Sequence, residues 1–161
     1  MTTTGAELDS TLQTVLACVR DELQLLPCTA CVVVGAPALD GCCDQGTCSG
    51  QLTVHLVSLV PVDDQLRRRA ATVTPCRPQT LGVDLRVTLA RCHPTLGISG
   101  QPPGCPELAA AAAQLSEDVA AVQRGLACCP LPAAVTSVDV TQPPSGGCAV
   151  VTAAAVVELS G

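Results

Sequence analysis

A chain of 161 residues has the length of one ordinary domain, with enough of it to bury a core. It carries a net charge of −6 and no Phe, Tyr or Trp, so the core must be built from Val, Leu, Ala and Cys. Eight basic residues against fourteen acidic ones leave no footprint for phosphate backbones, which disfavours nucleic-acid binding.

Lys and Asn are absent, Ile and Met occur once each, and every basic residue is Arg. The depleted types are those with codons beginning in two A/T bases, which points to a very GC-rich genome. No apolar run is long enough for a membrane span, which needs about 20 residues, so no membrane partner is expected. The opening "MTTTGAELDS" has neither a basic leader nor an apolar core, and synthesis in a cytosol is the expectation. Twelve cysteines make that expectation demanding.

In chain order, the apolar residues Leu8, Leu12, Val15, Leu16, Val19, Leu23 and Leu26 have helical spacing, ended by Pro27. "TACVVVGAP", 29–37, reads as a short strand. After the cysteine loop, "GQLTVHLVSLVPV" alternates, with Leu52, Val54, Leu56 and Ser58 on one face against Thr53, His55, Val57 and Leu59. A long polar stretch, about 61–79, follows. It holds Asp63, Asp64, Arg67, Arg68 and Arg69, a self-compensating charge run whose plain reading is a solvated loop. "TLGVDLRVTLARC" alternates more cleanly. Leu81, Val83, Leu85, Val87 and Leu89 face the core, and Asp84, Arg86 and Thr88 face out, a half-exposed strand.

The Pro/Gly-rich "HPTLGISGQPPGCPE" is loop, with Pro106 and Glu107 placed for a helix start. Leu108, Ala112, Leu115, Val119, Val122 and Leu126 form the buried stripe of that helix, which "CCPLP" ends. Two last strands, "AVTSVDVT" and "CAVVTAAAVVEL", flank the turn "QPPSGG" as a hairpin. The order is α-β-β-β-α-β-β. The expected fold is α+β: one domain over 1–161, an antiparallel sheet of about five strands with both helices on one face.

The cysteines could be metal ligands, reactive thiols, core residues or disulfides. Zinc wants two tight thiolate pairs, and only Cys28-x-x-Cys31 has that form, beside the irregular Cys42/Cys43/Cys48 group. That pair follows a helix C-terminus, whereas a redox pair needs a helix N-terminus. His55 lies mid-strand and His93 directly follows Cys92, so neither makes a catalytic dyad. The expectation is a chain that is not an enzyme and takes no cofactor. Cys18, Cys28, Cys31 and Cys128 fall where buried residues belong. Cys42, Cys43, Cys48, Cys76 and Cys148 lie near loops, and Cys92 and Cys105 bracket the Pro/Gly loop and are the expected bridge. A protein made in a cytosol but working outside the cell would oxidise after release, a condition that fits a virus particle.

Five segments in order, "CCDQGTCSGQLTVHLV", "LGVDLRVTLARCHP", "PPGCPEL", "LACCPLP" and "GGCAVVTAAAVVEL", resemble the small head-to-tail connector proteins of tailed phages infecting GC-rich actinobacteria. The resemblance runs from about Cys28 onward, and the element order is similar to that of tail terminators. It implies a structural virion protein of the neck, assembled in the host cytoplasm, forming a hexameric ring. The ring would cap the tail tube, contact the major tail tube protein and a head-completion or stopper protein, and pass DNA through its lumen without specific binding. Asp63, Asp64 and Arg67 to Arg69 then become a candidate interface or lumen loop. The alternatives are another connector, a stopper or adaptor, and, from a different class, a cysteine-rich zinc-binding module.

Overall fold

The computed structural model describes residues 5–39, 42–43, 47–69, 80–97, 99–141 and 147–159. Helix α1 spans Gly5–Glu22 and α2 spans Cys105–Ala127. The strands are β1 Thr29–Val33, β2 Gln51–Pro61, β3 Leu81–Cys92, β4 Ala133–Thr141 and β5 Cys148–Glu158. The order α-β-β-β-α-β-β holds, and the five strands form one sheet in the order β1-β2-β3-β5-β4. The proposed turn at 142–146 and the loop at 70–79, with Cys76, lie outside the described residues.

One expectation fails. The sheet is mixed, because β1 runs parallel to β2 with Thr29 opposite Gln51 and Val33 opposite His55. Parallel neighbours need a crossover of a dozen or more residues, and the cysteine loop between Val33 and Gln51 supplies it, with no helix among its described residues. The other three pairings are antiparallel.

Both helices cover the same face. Leu12, Val15, Leu16, Val19 and Leu23 of the α1 region and Ala121, Val122 and Leu126 of α2 pack on Leu52, Val54, Val83, Leu85, Val87, Leu89, Val151, Ala153, Ala155 and Val157. Without aromatics, the core is filled by bringing backbones close. A Cβ on Gly125 would lie 2.6 Å from Val19 Cα, so glycine sets the approach of α2 to α1. The first helix stops at Glu22, four residues before the expected end, and Leu26 is half exposed.

Two details of register depart from simple alternation. A bulge between Leu56 and Ser58 makes Val57 the extra residue and turns Ser58 to the face away from the helices, opposite Asp84. Ser58 therefore does not share the face of Leu52, Val54 and Leu56. The central strand β3 is also more buried than expected. Asp84 and Thr88 are covered, and of Asp84, Arg86 and Thr88 only Arg86 is exposed.

Helix α2 begins as its sequence dictates, with Pro106 in the first turn and the Glu107 carboxylate accepting the Gly104 N–H at 3.2 Å. Its buried stripe is shorter than expected. Leu108 and Ala112 stand exposed, and continuous burial begins only near Asp118.

Candidate functional site

The sheet face opposite the helices is roofed by two loops, which bring two disulfides and one ion pair to it. At one end the crossover lies over β3 and β5. Gln51 donates through Nε2 to the Ala38 carbonyl at 2.9 Å, and Leu39 packs on a small cluster of Cys42, Ala90, Cys148 and Val150. Two disulfides fasten it, Cys42–Cys148 and Cys43–Cys92. Their strand-borne halves are direct partners, since Cys92 stands opposite Cys148 in the β3–β5 register.

The expected Cys92–Cys105 bridge is therefore replaced by Cys43–Cys92, and Cys105 is a free, exposed thiol at the start of α2. Flanking a loop was the wrong criterion. The β3–β5 ladder carries Cys92 to the crossover, while the Pro/Gly loop takes Cys105 to the helix. Cys28 pairs with Cys48 and Cys18 with Cys129, so Cys28 and Cys31 do not act as a pair. Cys31 is free and half-buried, and Cys128 is free and exposed rather than part of the core.

At the other end the Asp/Arg run opens with a compact hairpin. Val62 bridges Arg68, Asp63 N–H donates to the Arg67 carbonyl, and Arg69 N–H donates to the Pro61 carbonyl. Asp63 Oδ1 accepts the backbone N–H of Arg67 at 2.9 Å and of Gln65 at 3.0 Å. The Arg67 N–H is the main reason its carboxyl sits below the usual carboxylate range. Arg68 forms an ion pair with the covered carboxylate of Asp84, which also accepts from Ser58 Oγ at 3.4 Å. Val62 closes over Gly82, where a Cβ would meet its Cγ1 at 2.8 Å. Asp64, Arg67 and Arg69 point to solvent. The five predicted residues thus share a hairpin but divide in role: Asp63 and Arg68 hold it together, and the other three are its outer surface.

Between the two fastenings lies His55, buried on β2 beside Thr53. Among the described residues, neither His55 Nδ1 nor Thr53 Oγ1 has a hydrogen-bond partner. Burial first, and the Arg86 charge opposite it in register second, push the His55 pKa below its ordinary 6.5. His93 lies elsewhere, with Nδ1 3.0 Å from the Pro94 carbonyl oxygen. The contacts on this face hold two loops against the sheet.

On the helix side, a polar centre escaped the sequence reading. Arg91, at the end of β3, donates Nε to Asp118 Oδ2 and Nη2 to Oδ1, both at 2.9 Å, with both side chains buried. Its remaining donors reach the carbonyl of Leu25 at 2.7 Å and that of Ser49. Gln114 Nε2 adds a 3.2 Å bond to Asp118. One guanidinium thus ties the end of the α1 region, the approach to β2, and α2 to the central strand. The signal was available: continuing the alternation Val87, Leu89 by two residues places Arg91 on the helix face.

Among the described residues, no helix is long and apolar enough to cross a membrane. The chain matches no protein-family model and no curated protein.

Proposed function

We propose that this chain is a structural virion protein of a phage neck, a tail terminator whose copies close into a ring, hexameric as in the family it resembles. The observation that carries the reading is the first half of α2. From Leu108 to Ala113 the helix presents an uncharged, Ala-rich surface that is largely exposed, although one face of its second half is buried in the core. An apolar helix half left uncovered is expected to be covered by another copy, since exposed apolar surface of that kind marks association sites. The half-exposed valines Val135 and Val140 on the edge strand β4 add to the apolar surface available to a neighbour.

A ring of this acidic chain would present DNA with a lumen that repels phosphate, so DNA passes without sticking. The hairpin surface of Asp64, Arg67 and Arg69, one carboxylate against two guanidiniums, suits the joint to the tail tube and head-completion proteins better than a lumen that repels phosphate. Two measurements test the reading. Mass spectrometry of purified particles is expected to find the chain at low copy number, and its absence overturns the proposal. Light scattering is expected to give a closed oligomer that Ala109→Arg/Ala113→Arg reduces to monomers; a native monomer that also fails to join tail tubes would equally sink it. Location in a particle map separates a terminator from a stopper or adaptor.

A further inference from the structure

The bridges Cys42–Cys148 and Cys43–Cys92 bring four sulfurs into one cluster, and the non-bonded pair Cys42 Sγ and Cys43 Sγ are 4.0 Å apart. We propose that in the reduced chain these four cysteines hold one zinc ion as a tetrathiolate, and that oxidation to the two disulfides expels it.

Four features of the cluster support the site. Zinc–sulfur bonds of about 2.3 Å in a tetrahedron set neighbouring sulfurs about 3.8 Å apart, close to the spacing that Cys42 and Cys43 already have. Each bonded pair has only to open by about 1.7 Å once its bridge is cut. Two of the ligands stand on an ordered ladder, Cys92 opposite Cys148, continued by the 2.8 Å bond from His93 N–H to the Gly147 carbonyl. The other two arrive together on the crossover, with Cys42 seated on Ala90, Val150 and Leu39, which keeps water from one side. The ligand set is all thiolate, the soft kind that selects zinc over magnesium or calcium.

The carbonyls around the cluster set the competition that zinc must win. Gly147 O lies 3.4 Å from Cys42 Sγ and 3.7 Å from Cys43 Sγ, and Leu39 O lies 3.4 Å from Cys148 Sγ. In the reduced chain those oxygens accept from neutral thiols, so zinc has to displace four protons and its retention strengthens as pH rises. In the disulfide form no group of three or more His, Cys, Asp or Glu side chains among the described residues can hold a metal ion.

The oxidant is a small-molecule disulfide: as each bridge forms, two electrons pass to one such disulfide, which takes up two protons and leaves as two thiols while Zn2+ departs, and a dithiol drives the reverse. Each bridge takes two electrons and two protons from one dithiol, which leaves as its own disulfide. The four thiols then release four protons as Zn2+ binds. In a reducing cytosol the metal would fasten the crossover over β3 and β5 in the way the two bridges fasten it after oxidation. The site stands independently of the ring.

The test reduces the full chain with a phosphine, which does not itself supply thiol ligands, and adds zinc chloride against a chromogenic chelator. About one zinc per chain is expected to resist the chelator, and cobalt(II) in its place is expected to show the intense absorption of a tetrahedral thiolate centre. Cys43→Ser and Cys92→Ser, both at exposed positions, are expected to abolish retention, while Cys31→Ser and Cys128→Ser keep it. Circular dichroism establishes that each variant is folded. Should the site variants unfold, the cobalt spectrum of the native chain decides, because fewer than four thiolates give a weaker charge-transfer band. No zinc held by the reduced native chain, or retention undiminished in folded Cys43→Ser, overturns the proposal.

Discussion

Arg91 and Asp118 meet as a two-pronged ion pair, 2.9 Å on each prong, with side chains 5% and 2% exposed. Removing one member leaves the other charged and sealed from water, which costs about 3–5 kcal/mol. Asp118→Ala is expected to lower unfolding free energy by that much in urea melts. The double change Arg91→Met/Asp118→Leu removes both charges, yet recovery should be partial. The carbonyls of Leu25 and Ser49 would lose their donor, at about 1–3 kcal/mol for each buried group left unpaired. Full recovery would mean that the two carbonyl contacts contribute nothing.

Gly125 sets the distance between the helices. A methyl there would sit 2.6 Å from Val19 Cα and 3.0 Å from the Cys18 carbonyl oxygen, both backbone atoms that cannot rotate away. Gly125→Ala gains up to about 1 kcal/mol of helix propensity but overpacks the crossing by about 1–3 kcal/mol. Net destabilisation is expected, read as a lower denaturation midpoint. Gly5→Ala, with nothing within 4 Å, is the control and should be neutral or slightly stabilising.

What the sequence disclosed and what it hid divide along one physical line. Periodicity reports which side of an element is apolar, so both helices, all five strands and the helix-covered face were legible from Leu, Val and Ala positions. Periodicity does not report what lies over the second face. Thr53, Thr88 and Asp84 look like solvent-facing residues in a strand, yet all three are buried, Asp84 beneath the hairpin's Arg68. The parallel β1–β2 pairing was hidden as well, since no helical periodicity between Val33 and Gln51 announces a crossover. Cysteine pairing depends on register between distant strands. Cys92 meets Cys43 only because β5 sets Cys148 beside Cys92, and no local spacing encodes that. Arg91 differs: its alternation was readable, and it was missed because an arginine at a strand end is ordinarily taken as exposed.

His55 gives stability a defined pH dependence. Its folded pKa lies below the ordinary 6.5, mainly from burial, with Arg86 adding to the shift. Between that folded value and 6.5 the unfolded chain binds the proton and the native chain does not, so stability rises with pH across this window. The contribution is complete above about 6.5 and is lost as pH falls towards the folded pKa. Urea midpoints measured from pH 7.5 down to 5 should fall, and His55→Gln should flatten that part of the curve. An unchanged slope in the variant would assign the dependence to another group.

The four bridges differ in the chain they close, and this predicts an order of effects. Cys18–Cys129 spans 111 residues and Cys28–Cys48 spans 20. Loop-closure entropy grows only with the logarithm of length, and the Cys43–Cys92 bridge shortens the effective path between Cys18 and Cys129. Removing Cys18–Cys129 by Cys18→Ala/Cys129→Ala should therefore cost only about 1 kcal/mol more than removing Cys28–Cys48, within an overall cost of about 2–4 kcal/mol. Both differences should vanish when native and variant chains are compared under full reduction. Peptide mapping of the oxidised protein is the independent check, and finding Cys92 joined to Cys105 would refute the pairing on which the order rests.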